Sequence, residues 1–153
     1  MSDNEQGQAA APVFSIEKIY VKDLSIEVPN APQVFLEQGA PQINMEIATQ
    51  IDALETGIYE CRLTVTVTAK AEDKVYFLVE VRQAGIFRIQ DVPQEALEPT
   101  LAIACPNILF PYAREAVADA TVRAGFPPIH LQPVNFEALY LQQKQAQASA
   151  QVN

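Results

Sequence analysis

Cys61, Cys105 and His130 are the side chains here with the strongest intrinsic chemistry: two thiols and a single imidazole. A thiol activated by histidine is a nucleophile, provided its surroundings are electropositive. Cys105 opens the stretch CPNILFPYAREAV, between Ala104 and Pro106, and His130 stands in PPIHLQP. Nothing in either stretch ties the two together. An alanine, a proline and an apolar run around Cys105 favour a buried structural thiol over a reactive one. A structural zinc site wants four ligands, usually in close pairs, and these three residues are isolated, so no metal is expected. Five glycines are present, none in a phosphate-cradling loop, and there is no G-x-S-x-G. Carboxylates are plentiful, but a dispersed acidic surface is ordinarily a solvated face. No constellation supplies nucleophile, base and oxyanion donor together, so the sequence reads as a non-enzyme with no cofactor.

Binding is the remaining class, and composition narrows the partner. The 153 residues are 49% hydrophobic and 19% charged, with a net charge of −9. An acidic surface repels nucleic-acid phosphates and anionic membranes and favours partners with basic patches. The opening MSDNEQGQAAAP is polar and acidic and lacks a leader pattern, and no apolar run is long enough to cross a bilayer. A cytoplasmic location without membrane insertion is expected. Residues 1–12 read as a mobile arm, 13–141 as a single folded domain, and the Gln/Ala-rich 142–153 as a disordered tail.

The elements that must position any site fall into two halves. FSIEKIYVKDLSIEV alternates imperfectly, with a bulge near Glu17 and Lys18. Leu24, Ile26 and Val28 point one way; Asp23, Ser25 and Glu27 point the other. Residues 42–52 alternate again, with Ile43, Met45 and Ile47 on one face. IYECRLTVTVTAK and VYFLVEVRQAGIFRI flank a short connection and predict an antiparallel hairpin. Within it Val75, Phe77, Val79 and Val81 form one face, and Tyr76, Leu78, Glu80 and Arg82 the other. The back half is helical: a short proline-interrupted segment over 94–104, then a helix over 107–124. Pro111 is expected in or near its first turn. Asp119 and Arg123 can pair on its outer side, Gly125 and Pro127 stop it, and Asn135 caps a last helix. Strands first and helices after predict an α+β fold with helices on one face of an antiparallel sheet. The other face meets water, a surface of Asp, Glu, Thr and Ser with Leu78 exposed among them.

Particular stretches carry a family resemblance. GIF (Gly85 to Phe87), CPNILFPYARE (Cys105 to Glu115), FPP (Phe126 to Pro128), LQPVNFEAL (Leu131 to Leu139) and IYVKDLSIEVPNAPQVF (Ile19 to Phe35) resemble the SecB family of bacterial protein-export chaperones over about residues 13–141. The resemblance implies a four-stranded antiparallel sheet with helices on one side. It also implies subunits pairing through strand edges into a dimer of dimers. Its implied function is an ATP-independent holdase that binds unfolded secretory precursors and passes them to the export ATPase SecA, with no cofactor of its own. Carried over residue by residue, SecA contacts fall on Asp23, Glu27, Leu78 and Glu80. The groove for unfolded chains falls on Ile43, Met45 and Ile47, with aromatic lining from Phe35, Phe110, Tyr112, Phe136 and Tyr140. The rival expectations are a general cytosolic holdase or antitoxin-controlling chaperone of the same fold that ignores SecA, and an interaction module for one folded partner.

Overall fold

The computed structural model describes residues 10–151, so most of the arm expected over 1–12 lies outside it. Strands β1 (Val13–Glu27), β2 (Gln42–Glu55), β3 (Ile58–Ala71) and β4 (Lys74–Gln90) form one antiparallel sheet in the order β1-β4-β3-β2. The two hairpins turn where the chain adopts positive φ, at Gly57 (76°) and at Glu72 (56°). Short connections make β2, β3 and β4 neighbours in sequence order. Residues 28–41, which include a 3-10 turn over Gln33–Leu36, carry the chain from β1 on one edge to β2 on the other.

Four irregularities interrupt the ladders, one of them between Ala53 and Glu55 at the end of β2, and the other three re-aim side chains on the faces described below, as an extra residue in a strand must. The bulge expected near Glu17 lies between Ile16 and Lys18, and a second lies between Val21 and Asp23. With both in place, Val21, Leu24 and Ile26 stand opposite Gln83, Val81 and Val79 on the core-side face. The third corrects the face assignment at the start of β4. Val75 pairs with Lys70 and Phe77 with Ala69, leaving Tyr76 as the additional residue. Tyr76 is buried and its ring lies 6.5 Å from that of Phe126, so it joins the aromatic layer instead of the watered face.

Helices follow: α1 (Gln94–Pro99), a π-helical segment (Thr100–Ala104), α2 (Cys105–Arg123) and α3 (Phe136–Gln151). The first three run on without a break. Pro99 and Pro106 bracket the π segment, where missing N–H groups make wider bonding the way to continue. α2 therefore starts earlier than the apolar stripe indicates, and Pro111 lies inside it instead of in its first turn. The Asp119–Arg123 pair forms at 2.9 Å. Gly125, at φ 94°, ends the helix: its N–H reaches the Val122 carbonyl and the Phe126 N–H the Thr121 carbonyl, both at 3.0 Å. Asn135 caps α3, its Oδ1 accepting the Ala138 N–H at 3.0 Å. The tail expected to be disordered from 142 continues α3 to Gln151. Glutamine and alanine are strong helix formers, and Lys144 reaches Glu98 at 3.2 Å.

The core is the layer between the central strands and α2. Cys61, Leu63, Val65 and Val67 of β3, Val79, Val81 and Phe87 of β4, and Cys105, Leu109, Ala113 and Val117 of α2 are fully buried. The edge strands lie outside the span of α2, and that omission creates the candidate site.

Candidate functional site

β2 is an edge strand that α2 does not reach; its core-side face is only partly covered, by the π-helical segment and the start of α3. Its apolar side chains Ile43, Met45, Ile47 and Ile51 stand opposite Ala69, Val67, Val65 and Cys61, all buried. Yet Ile43 is 46% exposed and the other three are only half-buried. Hollows are strung along this face. At the Ile43 end, one of about 450 Å³ is walled by Phe35, Tyr76, Phe77, Phe126, Pro127 and Ile129. In the middle, about 190 Å³ lies among Ile47, Ile51, Phe136, Leu139 and Tyr140. Beyond it, about 340 Å³ opens among Ile51, Leu97 and Leu101. Along one strand face they make an interrupted, largely apolar trough, with Glu37, Thr49 and Gln143 at its margins, suited to extended chain with bulky side chains at intervals. A separate hollow at the β3–β4 turn is lined by Asn30, Glu37, Glu72, Asp73 and Lys74, and is too polar for the same role.

The aromatic end of the trough follows from local folding. The helix stop at Gly125 delivers Phe126 onto Phe77, with ring centroids 4.9 Å apart, and Phe35 stacks on its other side at 5.2 Å. The buried Thr121 hydroxyl accepts the Ile129 N–H at 3.3 Å and donates to the Ala118 carbonyl at 2.9 Å. That bond ties the Pro127–Pro128 wall back to α2, and two prolines keep it rigid.

The expected groove residues divide. Phe35 and Ile43 meet at one end, Ile47, Phe136 and Tyr140 in the middle, and half-buried Met45 lies on the strand between. Phe110 instead belongs to the core, buried edge-on against Phe136 at 6.0 Å. Helical periodicity turns it inward beside Leu109. Tyr112, half exposed on α2, lines none of these hollows. Sequence reasoning missed Tyr76, Phe126, Ile129, Leu97 and Leu101 as lining. The FPP after Gly125 was a usable signal for Phe126; for Tyr76 there was none, because its direction depends on the bulge.

On the opposite face, cross-strand rows assemble the acidic surface. Glu27 pairs with Leu78, which pairs with Thr68; Ser25 pairs with Glu80, which pairs with Thr66. Asp23 lies opposite Arg82. Asp23, Glu27, Leu78 and Glu80 therefore share one face and adjoining rows, the two strand faces identified separately in the sequence. Leu78 is half-buried among these neighbours instead of fully exposed.

The thiols have no place in either surface. Cys61 and Cys105 are fully buried, and burial pushes both up to about 12, with each other's proximity adding at Cys61. Neither supplies thiolate near neutral pH. His130 is exposed in its loop. Among the described residues there is no cluster of three or more His, Cys, Asp or Glu able to hold a metal, and no helix long and apolar enough to cross a membrane.

A family described as "Preprotein translocase subunit SecB" matches residues 7–147. The chain is 64% identical over 150 residues to the protein-export protein SecB of Dechloromonas aromatica, spanning 98% of this chain and 95% of that one. It is 60% identical over 150 residues to that of Chromobacterium violaceum, spanning 98% of each. Among solved structures, the Mycobacterium tuberculosis SecB-like chaperone in complex with a ChAD peptide from the HigA1 antitoxin matches with a TM-score of 0.66. That match spans 79% of this chain and 90% of that one at 23% identity, a likeness of fold alone.

Proposed function

The chain belongs to the SecB family, and from that premise we propose that it is an ATP-independent export chaperone of the cytoplasm. It holds unfolded secretory precursors in the trough along β2 and presents them to SecA through the acidic sheet face. The observation that carries this reading is the partly covered apolar face of Ile43, Met45, Ile47 and Ile51 on an edge strand. An unfolded chain offers apolar side chains to the trough and backbone groups to the strand edge. A folded protein has hidden both.

Each docking buries modest area, a few kcal/mol at ~25 cal/mol per Å². Several dockings on one client add through effective concentration, so an assembly with repeated troughs captures long chains tightly without ATP. The second open edge, β1, supports such an assembly, a homotetramer built as a dimer of dimers. Client trough and acidic face lie on opposite sides of one sheet, so both partners can be engaged at once. The acidic face, Asp23, Glu27, Leu78 and Glu80, suits a basic partner that also offers an apolar contact to Leu78.

The test is calorimetric titration with a secretory precursor held unfolded, beside its folded mature form, for the natural chain and for the combined Ile43→Ser, Met45→Ser, Ile47→Ser variant. The natural chain binds the unfolded form only, without nucleotide. The triple variant loses roughly tenfold or more in affinity while keeping its circular dichroism. Undiminished capture by a folded triple variant would remove the trough from the mechanism.

A further inference from the structure

We propose that Arg82 is a built-in competitor for the basic partner of the acidic sheet face and limits how tightly that partner binds. The inference rests on the acidic-face reading above. Arg82 lies in the row next to Glu80, opposite Asp23 on β1 and Thr64 on β3. Its Nε is 3.6 Å from Glu80 Oε1, and the Arg82 side chain is half exposed. Thr66 donates its hydroxyl to the other Glu80 oxygen at 3.3 Å. Glu80 thus already has a cation near one oxygen and a donor on the other, while Asp23, opposite Arg82 in the register, makes no ion pair with it among the described residues. Among the described residues, Glu27 takes part in no ion pair.

The other cations nearby are turned elsewhere: Lys22 to Glu60 at 3.0 Å and Arg62 to Asp52 at 2.9 Å. Arg82 alone of these three stands in the rows of the patch. A lysine or arginine arriving at Glu80 must displace it, and its charge lowers the potential that draws a basic partner to Asp23. Arg82 is half exposed, Glu80 is partly buried, and their contact is longer than a close ion pair, so displacement is easy and salt-sensitive. Such a competitor favours a partner that makes several contacts at once over stray basic peptides, which engage Glu80 alone.

The experiment measures binding of purified SecA to the full chain at low and moderate salt, for the natural protein, R82Q, R82K, E80Q and R123Q. R123Q makes the same change in net charge on α2, away from the patch. The expected result is that R82Q binds roughly two- to fivefold tighter at low salt, fading as salt rises. R82K stays near the natural value, E80Q weakens, and R123Q is unchanged. If E80Q weakens binding while R82Q does not strengthen it, the Arg82 inference is overturned and the acidic-face reading survives. Equal gains in R82Q and R123Q also overturn it, since overall charge then explains the gain. If neither E80Q nor R82Q changes the affinity, both readings fail.

Discussion

Ala84 on β4 is fully buried on the face that meets water, because side chains from both neighbouring strands close over its methyl group. Tyr20 and Lys22 reach across it from β1 to Glu60 on β3, where Arg62 also approaches, and Glu60 is left 8% exposed. Burial pushes the Glu60 carboxyl up, but the Tyr20 hydroxyl, Lys22 and Arg62 outweigh it and hold the group below its ordinary 4.5. Burial, reinforced by Glu60, raises Tyr20 from 10.0 to about 12. A lowered carboxyl stabilises the fold fully above its unfolded value and loses that contribution as pH falls through the folded one. A raised phenol contributes below 10 and loses it as pH climbs from there towards about 12. Glu60→Gln should therefore cost about 1–2 kcal/mol at neutral pH and flatten the acid limb of stability. Urea unfolding from pH 3 to 7 at fixed protein concentration checks this; an acid limb as steep as in the natural chain would contradict it. Glu60 did not stand out in the sequence. Strand alternation turns it outward, and only the register brings Tyr20 and Lys22 to it.

At the scale of elements, the end of α2 both stops a helix and builds the trough wall. Gly125 was readable as the stop because glycine is the residue that most easily takes positive φ. Its second role was not readable: a Cβ there meets the Phe35 ring at 3.0 Å. Gly125→Ala should destabilise the protein by roughly 1–2 kcal/mol through backbone strain. It should also weaken client capture at the Phe35 end, since the ring must move. Guanidinium unfolding measures the first effect, and binding of a client segment with one aromatic anchor measures the second. Unchanged capture alongside lowered stability would separate the helix stop from the wall. The start of α2 was less readable. Proline signals a boundary in sequence, yet the π segment lets the chain pass Pro99 and Pro106 as one helical run.

For the whole molecule, the open sheet has two edges, and both present apolar side chains on the core side. On β1 these are Phe14, Ile16, Val21 and Leu24, each between 43% and 49% exposed. Beside them Gln83 is buried with its Nε2 on the Tyr20 carbonyl at 3.1 Å, while its Oε1 has no partner among the described residues. A stripe of this kind beside an unsatisfied acceptor supports a second copy of the chain as its cover. Val21→Lys with Leu24→Lys should shift the protein to smaller species in sedimentation, with the fold retained by circular dichroism. The same sedimentation profile as the natural chain would rule this stripe out as a subunit contact.

The strands, the main helices and the apolar side chains were legible along the chain, because alternation with period two and stripes at helical spacing are local properties. The sequence also carried the stretches that identify the family, CPNILFPYARE above all. Direction and company came from the folded arrangement. Bulges turned Tyr76 inward and aligned Val21 with Leu24, and register set Asp23 and Glu80 on either side of Arg82. The placement of α2 over the two central strands left β2 only partly covered. These outcomes depend on one-residue shifts and on contacts between distant segments, and a one-residue shift reverses the face of every side chain beyond it.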